Sequence, residues 1–198
     1  MSALTVLLIR HAEKPPEKAG DPDFGPGLSA KGKEDRHSLA IRGWQRAGAW
    51  AVLFAGGSAD SDYPRPKIVY AADPNPSPEK DGPRSRRAFE TIHPLCKRLQ
   101  IDPVTTYGVG HEHTMIEEVK RLTGSILICW EHNKIVEPII PKIVADQKLP
   151  HLPTHWHGDR FDVVLRLDRA QAGAPWKFRQ LFPQLLSGDL NVTVEQKA

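Results

Sequence analysis

The chain has 198 residues, enough to bury a full core as one domain over 1–198, and its 27 Lys and Arg stand among 24 Asp and Glu for a net charge of only +3. Such a balance lacks the clustered basic surface that binds nucleic acid, and no apolar run approaches the roughly 20 residues that cross a bilayer. Two cysteines without CxxC spacing read as buried free thiols, and the absence of a basic-then-apolar leader makes the cytoplasm the expected compartment.

The first predicted element is a strand within Thr5 to Lys14. Val6, Leu7, Leu8 and Ile9 form a continuous apolar run suited to a strand covered on both faces, and Arg10 and His11 follow at its carboxyl end. That edge of an open α/β sheet is where ligands bind, so a cation beside an imidazole there points to an anion site with a nucleophile or base. Residues 15–27, crowded with Pro, Gly and Asp, read as a loop on the ligand side. Residues 28–40 are polar with scattered apolar positions. From Gly43 to Ala55 the positions Trp44, Ala47, Trp50, Ala51 and Phe54 fall at helical spacing, and Gly56 and Gly57 end that helix.

Lys67 to Ala72 is a second short strand, and residues 73–83 form a proline-rich loop beyond it. A helix is predicted from Arg84 or Ser85, with Ala88, Ile92, Leu95, Cys96 and Leu99 on one face and Pro94 set to kink or shorten it. Arg87 and Thr91 lie one turn apart near its start, where free N–H groups and the helix dipole favour an anion. Asp102 to Val104 reads as a short edge strand, Tyr107 to His113 as a loop carrying Glu112 between two histidines, and Thr114 to Thr123 as a helix. Ser125 to Cys129 is the third buried strand. It delivers Trp130, Glu131, His132 and Asn133 to its carboxyl end, and a helix interrupted by Pro138 and Pro141 follows from Ile135 to Val144. His151 to Asp159 is a loop, Phe161 to Leu167 a fourth strand, and the tail from Ala170 is expected to pack across a sheet edge.

Three separated segments resemble the histidine phosphatase superfamily, the phosphoglycerate mutase-like proteins. The family's Arg-His-Gly signature is similar to Arg10-His11-Ala12. Its arginine followed four residues later by threonine resembles Arg87 to Thr91 in RRAFET, and its second histidine resembles His132 in SILICWEHN. The phrase LAIRGWQRA at 39–47 resembles its helix-opening motif, with Ala40 in place of a hydroxyl residue. Its usual Ser-Ser-Pro is here Ala72-Asp73-Pro74 followed by an inserted stretch, which leaves Arg86 as a rival register to the favoured Arg87.

The resemblance implies a three-layer α/β/α sandwich with a mostly parallel sheet and a metal-independent phosphatase acting on a small phosphorylated metabolite or a phosphoprotein, with no cofactor. His11 would be the nucleophile that becomes phosphohistidine, Arg10 and Arg87 the donors to the phosphoryl oxygens, and His132 a further donor to the transferred group. An acid must protonate the leaving oxygen. Glu112 fits best, with Glu131 as rival and Glu117 and Glu118 read as a solvated helix face. The pairs His111/His113 and His155/His157 admit a metal reading but lack a matching carboxylate or cysteine set. A mutase shares this chemistry, and a catalytically silent phosphate-binding module would share the pocket.

Overall fold

The apolar run at the start of the chain becomes the middle of a sheet. In the computed structural model, which describes residues 3–16, 25–75 and 86–197, strand β1 spans Leu4–Arg10. Val6, Leu7, Leu8 and Ile9 are all fully buried. Successive strand side chains point to opposite faces, so both faces of β1 are covered. The other strands are β2 (Ile68–Ala71), β3 (Gly124–Trp130), β4 (Val164–Arg169) and β5 (Trp176–Leu181), in the order β2-β3-β1-β4-β5.

The expected parallel arrangement holds on one side only. β2 and β1 both pair in parallel with β3, whereas β4 is antiparallel to β1 and β5 antiparallel to β4. The connection from β4 to β5 is too short for a crossover, and a tight connection returns the chain antiparallel. β5 corrects the reading of the tail as merely packing on an edge, because Trp176, Phe178 and the buried Leu181 are set among exposed Lys177 and Arg179 as a strand. The fourth strand starts at Val164 rather than Phe161, with Phe161 and Asp162 left in the preceding loop. No strand forms at 102–104. Val104 alone bridges to Tyr70, next to Pro103, which has no N–H to extend a ladder.

Helix α1 (Ile41–Gly56) buries Gly43, Arg46, Ala47, Trp50, Ala51, Phe54 and Ala55, a stripe at 3.6-residue spacing. Gly43 lets α1 approach the chain beyond β1, since a Cβ there would stand 2.4 Å from the carbonyl oxygen of Glu13. Helix α2 (Arg87–Leu99) packs on α1. Pro94 does not shorten it, and the helix runs on to a left-handed cap at Gln100. Helix α3 (Glu112–Val119) starts two residues before the expected position and ends four before it.

The predicted helix at 135–144 is three pieces: α4 (His132–Lys134), a π-helical stretch (Ile135–Ile139) opened at Glu137, and α5 (Ile140–Val144). α3 packs against the last two pieces. With both faces of the central strands buried, the helices and the sheet form a three-layer α/β/α arrangement. No helix of the described residues is long and apolar enough to cross a membrane. Most of the loops expected at 15–27 and 73–83, and the predicted helix start at 84–85, lie outside the described residues.

Candidate active site

Arg10 and His11 stand at the carboxyl end of β1, between β3 and β4. The ladder to β3 continues one step past the strand, where His11 N–H donates to the carbonyl of Trp130 at 3.0 Å. The Arg10 side chain is 2% exposed. Its Nη1 donates to the carbonyls of Gly158 at 2.6 Å, Arg160 at 3.2 Å and His157 at 3.4 Å. Its guanidinium lies 3.9 Å from the centre of the Phe161 ring. Burial pulls its pKa down to about 10, against the opposing charges of Glu131, Glu13 and Asp159, so it stays a cation at neutral pH. Arg10 Nε is buried without a hydrogen-bond partner among the described residues.

The His11 ring is held in one tautomer. Nδ1 lies 2.8 Å from the carbonyl oxygen of Ala12. A carbonyl only accepts, so Nδ1 carries the proton and Nε2 keeps its lone pair. Burial lowers the His11 pKa to about 3, helped by the positive charge of Arg10 and then by Arg87 and His132, while the Ala12 bond opposes them. The imidazole is therefore neutral throughout the physiological range. The same three groups that the sequence grouped with His11 are thus close enough to bias its charge.

Arg87 opens α2 and reaches back to the loop before α1. Its Nη2 donates to the Arg36 carbonyl at 2.7 Å and its Nε to the Ser38 carbonyl at 3.4 Å. That loop is held in turn by Glu90, a buried carboxylate one helical turn on, which accepts from Ser38 Oγ at 2.8 Å and Leu39 N–H at 2.9 Å. Arg86 is the exposed N-cap residue of α2. Thr91 bridges the helix to the histidine, accepting from Ala12 N–H at 2.8 Å and donating to the Arg87 carbonyl at 2.7 Å.

His132 begins α4, with Nδ1 2.9 Å from Glu131 Oε1. The contact does not meet the geometry of a hydrogen bond, and Nδ1 has no hydrogen-bond partner among the described residues. Glu131 also accepts from the N–H groups of Asn133 and Lys134, both at 3.1 Å, as the cap of α4. Burial would raise its pKa, yet the His132 contact and these caps bring it down to about 2. Glu131 thus caps α4 and stands against the His132 ring.

Glu112 is not in a loop, as expected, but in the first turn of α3 and 3% exposed. It accepts from Trp130 Nε1 at 3.0 Å and from Gly110 N–H at 2.9 Å. It is thereby attached to the same strand end whose backbone receives His11. Glu118, read as a solvated face, accepts from the hydroxyls of Tyr70 at 2.5 Å and Tyr107 at 2.6 Å. His155 and His157 meet edge to face with ring centres 4.9 Å apart. No group of three or more His, Cys, Asp or Glu among the described residues is arranged to hold a metal. Both cysteines are buried and free; burial raises Cys96 to about 12 and Cys129 further, so neither is a ready thiolate.

Several supporting residues had no sequence signal. Glu13, two residues past the histidine, is 1% exposed and accepts from Arg46 Nε at 2.8 Å, and Arg46 also binds Asp189 at 2.7 Å. Glu90, Arg160 and Phe161 belong with them. In sequence a buried charge looks like any surface charge, and only its partners distinguish it, such as Asp189 for Arg46, 143 positions away.

The fold and strand-end site define an α/β/α protein with a neutral histidine set among two arginines and a second histidine. No family model matches the chain, and no curated protein matches it. Among solved structures it is similar to one described as a putative phosphohistidine phosphatase, SixA from Agrobacterium tumefaciens. The TM-score is 0.49 at 20% sequence identity, with 90% of this chain and 97% of that one covered.

Proposed function

We propose that the chain is a histidine-dependent phosphatase acting on a phosphomonoester or a phosphorylated protein side chain. His11 Nε2 attacks phosphorus as the bond to the leaving oxygen breaks, the phosphoryl group passes to the imidazole, and water then hydrolyses the phosphohistidine to inorganic phosphate. Arg10 and Arg87 hold the equatorial oxygens, where charge is spread in the transition state, and His132 donates to the same group. Glu112 protonates the leaving oxygen.

The observation that carries this reading is the state of His11, a neutral imidazole whose proton is fixed on Nδ1 and whose Nε2 is available, set within reach of three cationic or donor groups. The unmatched Arg10 Nε adds to it. A buried donor without a partner costs about 1–3 kcal/mol, and a phosphoryl oxygen would satisfy it. The test is covalent trapping: wild-type protein mixed with nitrophenyl phosphate and quenched in alkali should carry a phosphoryl group that acid removes. His11→Ala should show neither the adduct nor turnover. Phosphate binding without turnover in the wild type would identify a silent binding module instead.

A further inference from the structure

Arg10 is oriented by a stretch of chain that has no regular structure of its own. Its Nη1 is fixed by three carbonyls from the segment His157 to Arg160, which belongs to no helix or strand. What holds that segment is the side chain of Arg160, 1% exposed. Its Nη1 donates to the carbonyls of Thr193 at 2.7 Å and Gln196 at 3.1 Å, its Nη2 to that of Val192 at 2.9 Å, and its Nε to Asp162 Oδ1 at 2.8 Å. Asp162 closes the clip by accepting from Leu190 N–H at 2.7 Å. His157 N–H donates to the Val194 carbonyl at 3.0 Å, and Trp156 Nε1 to the Arg160 carbonyl at 3.0 Å. The Arg160 carbonyl thus receives Arg10 while the Arg160 guanidinium grips the tail.

We propose that Arg160 and the segment 192–196 it grips form a positioning unit for Arg10, so that residues nearly two hundred positions from the first strand set the anion affinity of a site built on that strand. This rests on the phosphatase reading for its purpose, although the anion affinity is measurable without turnover. Small displacements of a positioned group are costly, on the order of 100-fold for about 1 Å. A planar fork that satisfies four acceptors has no equivalent in lysine, so Arg160→Lys keeps the charge and loosens the clip.

The experiment is calorimetric titration with inorganic phosphate of the wild type, Arg160→Lys, Arg10→Lys and the double variant. Arg160→Lys should weaken phosphate binding on the order of tenfold, and the double variant should bind no more weakly than Arg10→Lys alone, because the two act through one group. Wild-type affinity in Arg160→Lys, or losses that multiply in the double variant, would overturn the proposal. Arg169→Leu serves as control, since Arg169 lies at the opposite end of β4, bonded to the Lys120 carbonyl and over Trp176. Equal weakening in that variant at an equal drop in melting temperature would reduce Arg160 to a structural residue. Should Arg160→Lys fail to fold, Asp162→Asn removes one acceptor of the clip and carries the same expectations. A wild type that binds phosphate but hydrolyses nothing would sink the phosphatase reading and leave the positioning of Arg10 to be decided by these affinities. A wild type that binds no phosphate would overturn both.

Discussion

The hydroxyl of Thr91 ties the strand end that carries His11 to the helix that carries Arg87. It accepts from Ala12 N–H and donates to the Arg87 carbonyl, and Thr91 itself is fully buried. Thr91→Val keeps the shape and removes both bonds, leaving a buried N–H unsatisfied next to His11. We expect about 1–3 kcal/mol of lost stability and a fall in kcat/KM, with Thr91→Ser close to wild type. Denaturant titration and steady-state kinetics measure the two effects, and a Val variant equal to wild type in both would remove Thr91 from the site.

Arg87 and its neighbour Arg86 are separable by substitution. Arg87→Ala should lower turnover on the order of 100-fold, as for loss of a transition-state donor, whereas the exposed Arg86 should tolerate alanine. On the proposed reading the guanidinium groups of Arg10 and Arg87 take the part of a metal ion, so excess chelator should leave the rate unaltered. Activity lost to chelator and restored by zinc would favour a histidine-bound metal.

Acid should destabilise the fold through His11 in a definable window. Its folded pKa, about 3, lies below the ordinary imidazole value. Between the two the unfolded chain binds a proton that the folded chain refuses, so stability rises with pH there and falls as pH drops below about 6.5, by up to about 1.4 kcal/mol per pH unit. Glu131 acts in a lower window: its folded pKa is depressed to about 2, so its contribution is present above the ordinary carboxylate range and lost as pH falls through it. His11→Asn should therefore flatten the stability profile between pH 6.5 and 5. Parallel profiles for variant and wild type in urea titrations would contradict the buried neutral state.

The acid is best found through the leaving group. Nitrophenolate departs as a stable anion and needs little protonation, whereas an alkoxide needs a great deal. Glu112→Gln should slow an alkyl phosphate far more than nitrophenyl phosphate. Glu131→Gln, which disturbs a cap and the setting of His132, should slow both alike. Selective loss in the Glu131 variant would transfer the acid role to it.

Local pattern alone determined the strand that carries Arg10 and His11, the amphipathic stripe of α1 and the strand that leads to His132. Each is an apolar run or a helical period long enough to state its own burial. It also set Arg87 and Thr91 one turn apart on a helix. Tertiary structure decided the rest. The direction of β4 and the existence of β5 depend on a short connection and on pairing partners, and the four-residue apolar-polar alternation in Trp176 to Arg179 is too brief to stand out. The seat of Glu112 in α3 depends on Trp130, which is distant in sequence. The orientation of the two arginines is the clearest case. Arg10 and Arg87 are aimed by backbone carbonyls of loops, and those loops are fixed by buried Arg160 and Glu90. Whether a charged side chain is solvated or buried against a partner is decided by which distant groups the fold brings to it, and no local pattern of residue types records that.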